Sequence, residues 1–583
     1  MTVLRFFAII MLALALGAPG ATMALETEQE ASPESPEITP IGGLSFKDEI
    51  ELTVVNVIAY VTDKSGHPVT DLTKDDFRLL HDGKAREISH FKLYTEEAFN
   101  SRLEAIPAPD LPPTPAEVET QPQPDEAPVY IVLFVDHENL HPLDRNRVLS
   151  RANEFVRENL HPPVQMMVAT FEKRLKIIQP FTDERDLILQ SLRAQRMKTG
   201  GRISRDQDRK RILDKMRRHK QDAGSGDIND ARNVWGLIIG SAEEEATNLM
   251  FTLHSLRATV SMMAGLPGKK SVVYISNGLP MVAGMELVYA YSNTYNDPSV
   301  MTQMSRWDQS RNFQALTSAA NSQDVTFYTI GAGGLKHGSV ATAEYAGPQD
   351  NVAVGVGQEN FLDSLRFMAS NTGGQAIVNT NDFSKAFDRI STDLFTYYSL
   401  GYALNVTGGD KVHRIKIELP GHSEYDLRYR RRFVEKSLES QVQDKVVTSL
   451  LFPVEENPLD VRVKTGVPSP ASEDRWTLPI QVAFPLKQLA LLPEGEDYVG
   501  RAVLFVAARD SEGGQSDLVR QHHEVRIAAK DYAKLEHEKW VITANLLMES
   551  GGYTVSVGLM DQVTRQASFD QVKTFIEEVV KEK

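Results

Sequence analysis

An uninterrupted run of seven apolar residues, 129–135, ends abruptly in the polar sequence Asp136-His-Glu-Asn-Leu-His141. Such a run, rich in β-branched and aromatic residues, predicts a strand that is buried on both faces, as in the parallel sheet of an α/β domain. Separated by segments of helical spacing, similar apolar segments recur at residues 164–171, 270–275, 325–330 and 375–378. This alternation predicts a doubly wound, mostly parallel sheet.

Polar side chains crowd the point where the first of these strands ends. The residues after the run include Asp136, His137, Glu138, Asn139 and His141. In open α/β sheets, ligands bind in the crevice outside the carboxyl ends of the strands. We therefore expect a functional site here, with His137, Asn139 and His141 as ligand-binding side chains.

Two sequence segments resemble those of a known family: Leu266-Pro-Gly-Lys-Lys-Ser-Val-Val-Tyr-Ile-Ser-Asn-Gly278 and Tyr397-Tyr-Ser-Leu-Gly-Tyr402. Together with the order of strands and helices, they resemble VWFA-related proteins of the acidobacterial type, which contain a domain similar to von Willebrand factor type A. The resemblance covers roughly residues 45–435. It implies a metal-ion-dependent adhesion site built from Asp-x-Ser-x-Ser after the first strand, a Thr on a later loop and an Asp after the fourth strand.

The chain keeps the first Asp of that implied site and departs from it elsewhere. Glu138 and Leu140 stand at the two Ser positions, and Asn277 stands at the position of the later Asp. Mg²⁺ prefers a near-octahedral shell of oxygen ligands. Asp136, Glu138 and the Asn277 amide oxygen supply part of such a shell, whereas Leu140 supplies none. We expect a degenerate site that binds Mg²⁺ or another divalent cation weakly or not at all, and no other cofactor.

The sequence His137-Glu-Asn-Leu-His141 also matches the His-Glu-x-x-His pattern of zinc proteases. In those enzymes the two His lie one helical turn apart and bind Zn²⁺, and the Glu activates water. Here the motif directly follows a predicted strand and precedes Pro142, which disfavours helical backbone at His141. A zinc metallohydrolase that uses His137, Glu138 and His141 is the alternative function.

Two insertions distinguish the predicted α/β domain, which spans residues 129–400. Residues 202–220 carry nine Lys or Arg against three Asp, and predict a solvated basic helix that rests on the domain through Ile212, Leu213 and Met216. Residues 281–304 follow Asn277-Gly278 and predict a loop over the site. We expect Tyr289, Tyr291 and Tyr295 of this loop to anchor a partner protein, because aromatic residues provide large contact area at small entropic cost.

The flanking segments predict β modules. Residues 45–100 predict a small β-sandwich with a hairpin at Asp82-Gly83, and residues 101–128 predict a proline-rich linker. Residues 401–435 predict a β-extension that leads away from the site. Residues 446–583 predict an immunoglobulin- or fibronectin-like β domain in which residues 570–583 are helical.

The start of the chain and its composition bear on location and partners. Residues 1–24 have the form of a secretory signal peptide, and the composition of residues 25–44 predicts a polar, disordered tail. The chain contains no cysteine, and its net charge of −16 argues against nucleic-acid binding. The mature chain should be periplasmic or secreted without membrane insertion. We expect a non-enzymatic protein-protein interaction protein of the adhesion or assembly type; its partner and oligomeric state stay open.

Overall fold

The computed structural model describes residues 52–98, 128–221, 228–335, 351–405, 409–472 and 475–577. The predicted signal peptide, the tail at 25–44 and the predicted linker up to residue 127 lie outside these ranges. Within them, no helix combines the length and the apolar character that a membrane span requires.

The first described strands belong to a small antiparallel structure. They are β1 (Leu52–Thr62), β2 (Arg78–His81), β3 (Lys84–Arg86) and β4 (His90–Tyr94). Strands β2 and β3 form a hairpin in which His81 is paired with Lys84. Asp82 and Gly83 connect them with φ values of 50° and 78°, the left-handed backbone that a two-residue type I′ turn requires. The hairpin predicted at Asp82-Gly83 is therefore confirmed.

The next six strands form the central sheet. They are β5 (Val129–Asp136), β6 (Val164–Glu172), β7 (Arg174–Thr182), β8 (Lys269–Ser276), β9 (Val325–Gly331) and β10 (Ala376–Ile377). Their order is β10-β9-β8-β5-β6-β7, in which β7 runs antiparallel to β6 and the other neighbours are parallel. If the six strands are renumbered 1 to 6 in chain order and read from the β7 edge of the sheet, they lie in the doubly wound order 3-2-1-4-5-6. The predicted α/β domain is confirmed, and the strand order reverses between β5 and β8.

Helices cover both faces of this sheet. They are α1 (Pro142–Asn159), α2 (Arg185–Gln195), α3 (Arg202–Gln221), α4 (Ile228–Met262), α5 (Met285–Tyr295), α6 (Ser310–Ser322), α7 (Asn351–Thr372) and α8 (Phe383–Phe395). Because side chains alternate along a strand, β5 contributes Leu133 to a core with α1, α2 and α8, and Phe134 to a second core with α4, α6 and α7. Burial on both faces explains why residues 129–135 are continuously apolar.

The chain then returns to its first strands. The returning strands are β11 (Tyr397–Asn405), β12 (Lys411–Glu418), β13 (Asp426–Tyr429) and β14 (Arg432–Glu435). They complete two four-stranded sheets, β13-β1-β11-β4 and β14-β12-β2-β3, which share one apolar core. We call this the split two-sheet module, since the doubly wound domain is inserted between its halves.

This arrangement differs from the prediction for residues 45–100 and 401–435, which treated them as a separate module and an extension. Strands β1 and β11 pair along most of their length, for example Val57 with Leu400, although more than 300 residues separate them. Short strands with one apolar face need a second layer to cover that face. Here the second half of the module completes both layers, because β11 and β13 join one sheet and β12 and β14 join the other.

The last part of the chain forms another two-layer β structure. It contains α9 (Leu438–Ser449) and the strands β15 (Arg462–Thr465), β16 (Ser469–Ser472), β17 (Arg475–Pro485), β18 (Leu491–Glu494), β19 (Asp497–Asp510), β20 (Val519–Ala528), β21 (Lys539–Met548), β22 (Gly551–Asp561) and β23 (Ala567–Ile576). Its two sheets share an apolar core, and α9 packs on the outer side of β19. The helix predicted from residue 570 is wrong over the described residues, because β23 pairs with β22.

Candidate functional site

Asp136 stands at the carboxyl end of β5, where the strand order reverses, and its carboxylate is fully buried. It accepts hydrogen bonds from the Asn139 backbone N–H (3.1 Å), the Asn139 side-chain amide (2.8 Å) and the Tyr274 hydroxyl. Burial raises the pKa of Asp136 to about 6, while the hydrogen bonds from Tyr274 and Asn139 oppose that shift. Both carboxylate oxygens are therefore used by neighbouring donors.

A cationic side chain from α3 lies beside this carboxylate. The Arg205 guanidinium donates to the Glu138 carbonyl oxygen, and its positive charge acts to lower the pKa of Asp136. Two glycines permit the close approach of this segment. A Cβ at Gly200 would lie 1.7 Å from the His137 carbonyl oxygen, and a Cβ at Gly201 would lie 2.0 Å from Glu138 Oε2. The start of the basic insertion is thus part of the site, not only a solvated helix.

The surroundings of His137 indicate a structural role for its imidazole. Its ring is fully buried, with Nε2 3.2 Å from Gln195 Oε1 and Nδ1 3.4 Å from the buried Arg145 guanidinium. Arg145 also donates to the carbonyl oxygens of Arg196 (2.7 Å) and Lys198. Burial lowers the pKa of His137 to about 4. The imidazole is neutral at pH 7 and holds the loop after α2 to the end of β5.

His141 contacts a different set of groups. Its backbone is extended (φ −71°, ψ 136°), and its Nδ1 accepts from the Leu143 N–H (3.3 Å) as the N-cap of α1. The Asn277 amide oxygen accepts from the His141 N–H (3.2 Å), and the Asn277 amide donates to Asp144 (2.7 Å). The motif at 137–141 therefore lacks the helical spacing of a zinc protease. The side chains of Asp136 and Asn277 likewise engage separate neighbours.

The segment predicted as a loop with exposed tyrosines is a packed helical layer. Residues 285–295 form α5, and Pro298–Trp307 form a 3-10 helix. Tyr291 is buried against Trp235 (5.1 Å between ring centroids) and Tyr295 (4.6 Å), while Tyr289 and Tyr295 are partly buried. The expectation of a loop is wrong because Leu287, Val288 and Tyr291 have the spacing of one helical face.

Ile212 and Met216 of α3 are buried in the same layer, and Leu213 is partly buried against it. The apolar stripe predicted for the basic helix is therefore confirmed. Its partners are α4 and α5, so the insertions at 202–220 and 281–304 pack on one another. They do not lie separately on the surface of the domain.

A cleft opens beside these elements at the carboxyl ends of β8, β9 and β10. We call it the carboxyl-edge cleft; the described residues that line it are Arg202, Arg209, Asn277, Glu286, Gly331, Gly333, Gly334, Gly357, Gln358, Phe361, Leu362 and Asn379. Arg209 pairs with Glu286 (3.1 Å), and the Arg202 guanidinium lies over the Phe361 ring (5.0 Å). Amides, glycine backbone, two guanidinium groups and an apolar wall therefore meet in one place.

Most of the cleft was missed from the sequence. Asn277 was a candidate, whereas Gly331, Gly334 and Asn379 were not, although they follow β9 and β10 as Asp136 follows β5. The rule that located Asp136 would have located them too. Gln358 and Phe361 lie on α7, and no sequence signal places that helix over the sheet edge.

Comparisons with known proteins give little further information. No family model and no curated protein matches the chain. Similar solved structures include the vWF domain of the type V pili tip protein Mfa5 from Porphyromonas gingivalis (12% identity, 46% of this chain and 94% of that chain, TM-score 0.25). Von Willebrand factor type A from Catenulispora acidiphila is another (8% identity, 78% and 67%, TM-score 0.21).

Bacteroides uniformis beta-glucuronidase 2 also appears, at 13% identity and a TM-score of 0.14; the match covers 20% of this chain and spans only 13% of the glucuronidase. At these TM-scores the similarities assign no function. The description of the doubly wound domain rests on its own strand order.

Proposed function

We propose that this chain is an exported, non-enzymatic protein-interaction protein of the adhesion or assembly type, and that its partner binds in the carboxyl-edge cleft. The supporting observation is the position and lining of that cleft. It lies at the carboxyl ends of β8, β9 and β10, next to the point where the strand order reverses, which is where doubly wound sheets bind ligands.

Recognition in this proposal uses hydrogen bonds and apolar contact in place of a metal ion. The carboxylate oxygens of Asp136 already accept hydrogen bonds, and the Asn277 amide oxygen accepts from His141. The cleft offers other groups to a partner. The Gln358 and Asn379 amides and the backbone at Gly333 and Gly334 suit the polar groups of a peptide segment.

The charged side chains of the cleft fit the same proposal. Arg202 pairs with Asp206, and Arg209 pairs with Glu286. A guanidinium has five N–H donors, so each arginine can also bind a partner carboxylate in a bidentate geometry. Phe361 and Leu362 provide an apolar wall that a partner side chain would cover. The partner segment we infer therefore carries an acidic residue beside an apolar one.

The zinc-hydrolase alternative has less support than the interaction role. The zinc-hydrolase alternative needs His137 and His141 on one helical face. Neither their backbone nor their hydrogen bonds provide that arrangement. Export is inferred from the signal-peptide form of residues 1–24.

A pair of neighbouring substitutions on α7 tests the binding surface. Gln358 lines the cleft, whereas Glu359 is exposed and pairs with Arg366 at the surface. Gln358→Trp should fill the cleft and weaken partner binding by about tenfold or more, which corresponds to about 1.4 kcal/mol. Glu359→Trp adds the same indole outside the cleft and should leave binding unchanged.

The measurement is capture from the exported-protein fraction of the source organism, followed by a binding titration with the partner that wild type retains. Equal affinity of the two variants would contradict the proposed surface. Chelator-sensitive peptide hydrolysis by the wild type that is lost in His137→Ala would favour the zinc-hydrolase alternative instead.

A further inference from the structure

Three potential metal ligands converge in the split two-sheet module, away from the carboxyl-edge cleft. His81 ends β2, Asp82 begins the turn after it, and His413 lies on β12. His81 Nε2 is 3.1 Å from His413 Nδ1, His413 Nδ1 is 2.8 Å from Asp82 Oδ2, and His81 Nε2 is 3.6 Å from Asp82 Oδ2. Among the described residues, this is the one group of three or more His and acidic side chains found with metal-site spacing.

The surrounding groups orient each of the three side chains. The outer nitrogen of the His81 ring, Nδ1, lies 2.8 Å from the Tyr402 hydroxyl, and that of the His413 ring, Nε2, lies 3.2 Å from Glu435 Oε2. Asp82 Oδ1 accepts from the Arg414 backbone N–H (2.8 Å), which directs Oδ2 towards the two rings. Metal-binding histidines are commonly held in this way, with the second ring nitrogen donating to a hydroxyl, carboxylate or water.

These hydrogen bonds leave three acceptor atoms facing one another: His81 Nε2, His413 Nδ1 and Asp82 Oδ2. An ionised Glu435 accepts only, so His413 Nε2 carries the proton and the neutral ring presents its Nδ1 lone pair inwards. If His81 donates from Nδ1 to Tyr402, its Nε2 lone pair also points inwards, towards Asp82 Oδ2. Three lone pairs at such distances repel unless a positive charge lies between them. Either an extra proton on an imidazole or a metal ion supplies that charge.

The dimensions suit a metal ion. Ligand atoms bound at about 2.0–2.1 Å to a tetrahedral Zn²⁺ are about 3.3 Å apart. The three measured separations, 2.8, 3.1 and 3.6 Å, bracket that value. The side chain of Asp82 is 48% exposed, so water can reach a fourth coordination position. The two negative charges of Asp82 and Glu435 exceed the single positive charge of nearby Arg86, so the local charge favours a cation.

We propose that His81 Nε2, His413 Nδ1 and Asp82 Oδ2 bind a divalent transition-metal ion of the Zn²⁺ class. The site has a structural role. Asp82 and His413 are 331 residues apart and belong to the two halves of the split two-sheet module. The ion would join the hairpin of the first half to β12 of the second, on either side of the inserted domain, and so stabilise the folded chain.

The test uses the untagged full-length mature protein, stripped with chelator and then titrated calorimetrically with Zn²⁺ at neutral pH. We expect one Zn²⁺ per chain. Asp82→Asn and His413→Gln should each weaken binding by at least about tenfold, the lower end of the loss seen even when a ligand's supporting group is removed. With Co²⁺ as the probe, wild type should show the strong visible absorption of a tetrahedral site, and both variants should lose it.

Two other histidine variants serve as controls. His422 lies in the same module between Asp76 (3.2 Å) and Glu424 (3.3 Å), and no other histidine of the described residues belongs to this group. His141 belongs to the other zinc-like motif. His422→Gln and His141→Ala should both bind Zn²⁺ like wild type. Loss of binding in His141→Ala with retention in Asp82→Asn would place the metal elsewhere and overturn the proposal.

A stability measurement separates metal binding from misfolding. Asp82→Asn keeps the Oδ1 acceptor for Arg414, and its amide can donate to His413, so it should melt close to wild type in the presence of chelator. Added Zn²⁺ should raise the melting temperature of wild type but not of Asp82→Asn. The proposal is overturned if wild type takes up no Zn²⁺, or if uptake and stabilisation persist in both Asp82→Asn and His413→Gln.

Discussion

At the scale of single residues, the Asp136 carboxylate is fully buried at the end of β5. Asn139 and Tyr274 donate hydrogen bonds to it, and the Arg205 guanidinium lies beside it. Its pKa in the folded chain therefore differs from the pKa of the same side chain in the unfolded chain.

The environment of Asp136 predicts a pH-dependent stability. Burial raises its pKa from 3.8 to about 6, so the folded state holds the proton more tightly than the unfolded chain does. The stabilisation is present below the ordinary carboxyl pKa and is lost as the pH rises through 6. Relative to Asp136→Asn, wild type should lose up to about 3 kcal/mol over this interval.

Urea denaturation of both proteins from pH about 4 to about 7 measures this difference. The exposed Asp183→Asn in the turn before α2 is the control for removal of one carboxylate. A constant difference between wild type and Asp136→Asn across the whole interval would contradict the buried environment described for Asp136.

Part of this environment could be predicted from the sequence. The position of Asp136 at the end of a buried strand followed from the apolar run before it. The groups around its carboxylate could not be predicted, because Tyr274 comes from a neighbouring strand and Arg205 from an insertion whose docking no periodicity defines. The residue types therefore suggested a metal site, whereas the structure shows that hydrogen bonds already use both carboxylate oxygens.

At the scale of secondary-structure elements, long buried strands were predicted well and the insertions were not. Residues 129–135 could form little other than a buried strand. Residues 285–295 mix Tyr, Asn and Ser with apolar residues, so their helical face is recognisable only when α3 and α4 are present to cover it. Similarly, residues 551–557 of β22 provide the pairing edge that makes residues 570–576 part of the strand β23.

Because α5 is packed, we expect removal of a tyrosine side chain from it to destabilise the protein. An exposed tyrosine that only contacts a partner could be removed without such a loss. Tyr291 is 6% exposed and packs on Trp235 and Tyr295, so Tyr291→Ala should destabilise the doubly wound domain by about 3 kcal/mol through the cavity left behind. Phe251→Ala on α4 removes a comparable ring that is 55% exposed, and should change stability by less than about 0.5 kcal/mol. Equal melting temperatures for the two variants would show that α5 is not packed as described.

At the scale of the whole molecule, the sequence indicated β modules around an α/β domain but not how their strands pair. Alternating apolar residues identify a strand and its buried face, but they do not identify the strand with which it pairs. The partner of β1 is β11, which follows the inserted domain in the sequence. No local pattern carries that information. The split two-sheet module is therefore the largest difference between the predicted and the observed organisation.

An ion pair between α8 and β13 is one of the contacts that connect the inserted domain to this module. Arg428 on β13 donates two hydrogen bonds, of 2.7 and 2.8 Å, to the buried carboxylate of Asp393 on α8. Arg428→Met leaves that carboxylate without its guanidinium partner and should destabilise the protein by about 3 kcal/mol. Arg462→Met breaks the exposed pair with Asp460 and should cost at most about 1 kcal/mol. Thermal unfolding compares them, and similar losses would refute the structural role of the Arg428 pair.

The central claim is that a protein partner binds in the carboxyl-edge cleft, and hydrogen exchange of the full chain with and without the captured partner tests it most directly. Protection should increase in the segments 331–335 and 355–362, which contain the lining residues that follow β9 and those of α7, and stay unchanged in β21 of the C-terminal structure. In Gln358→Trp the added protection should be lost, and in Glu359→Trp it should remain. Protection confined to the split two-sheet module or to the C-terminal strands, with residues 331–335 and 355–362 unchanged, would contradict the claim.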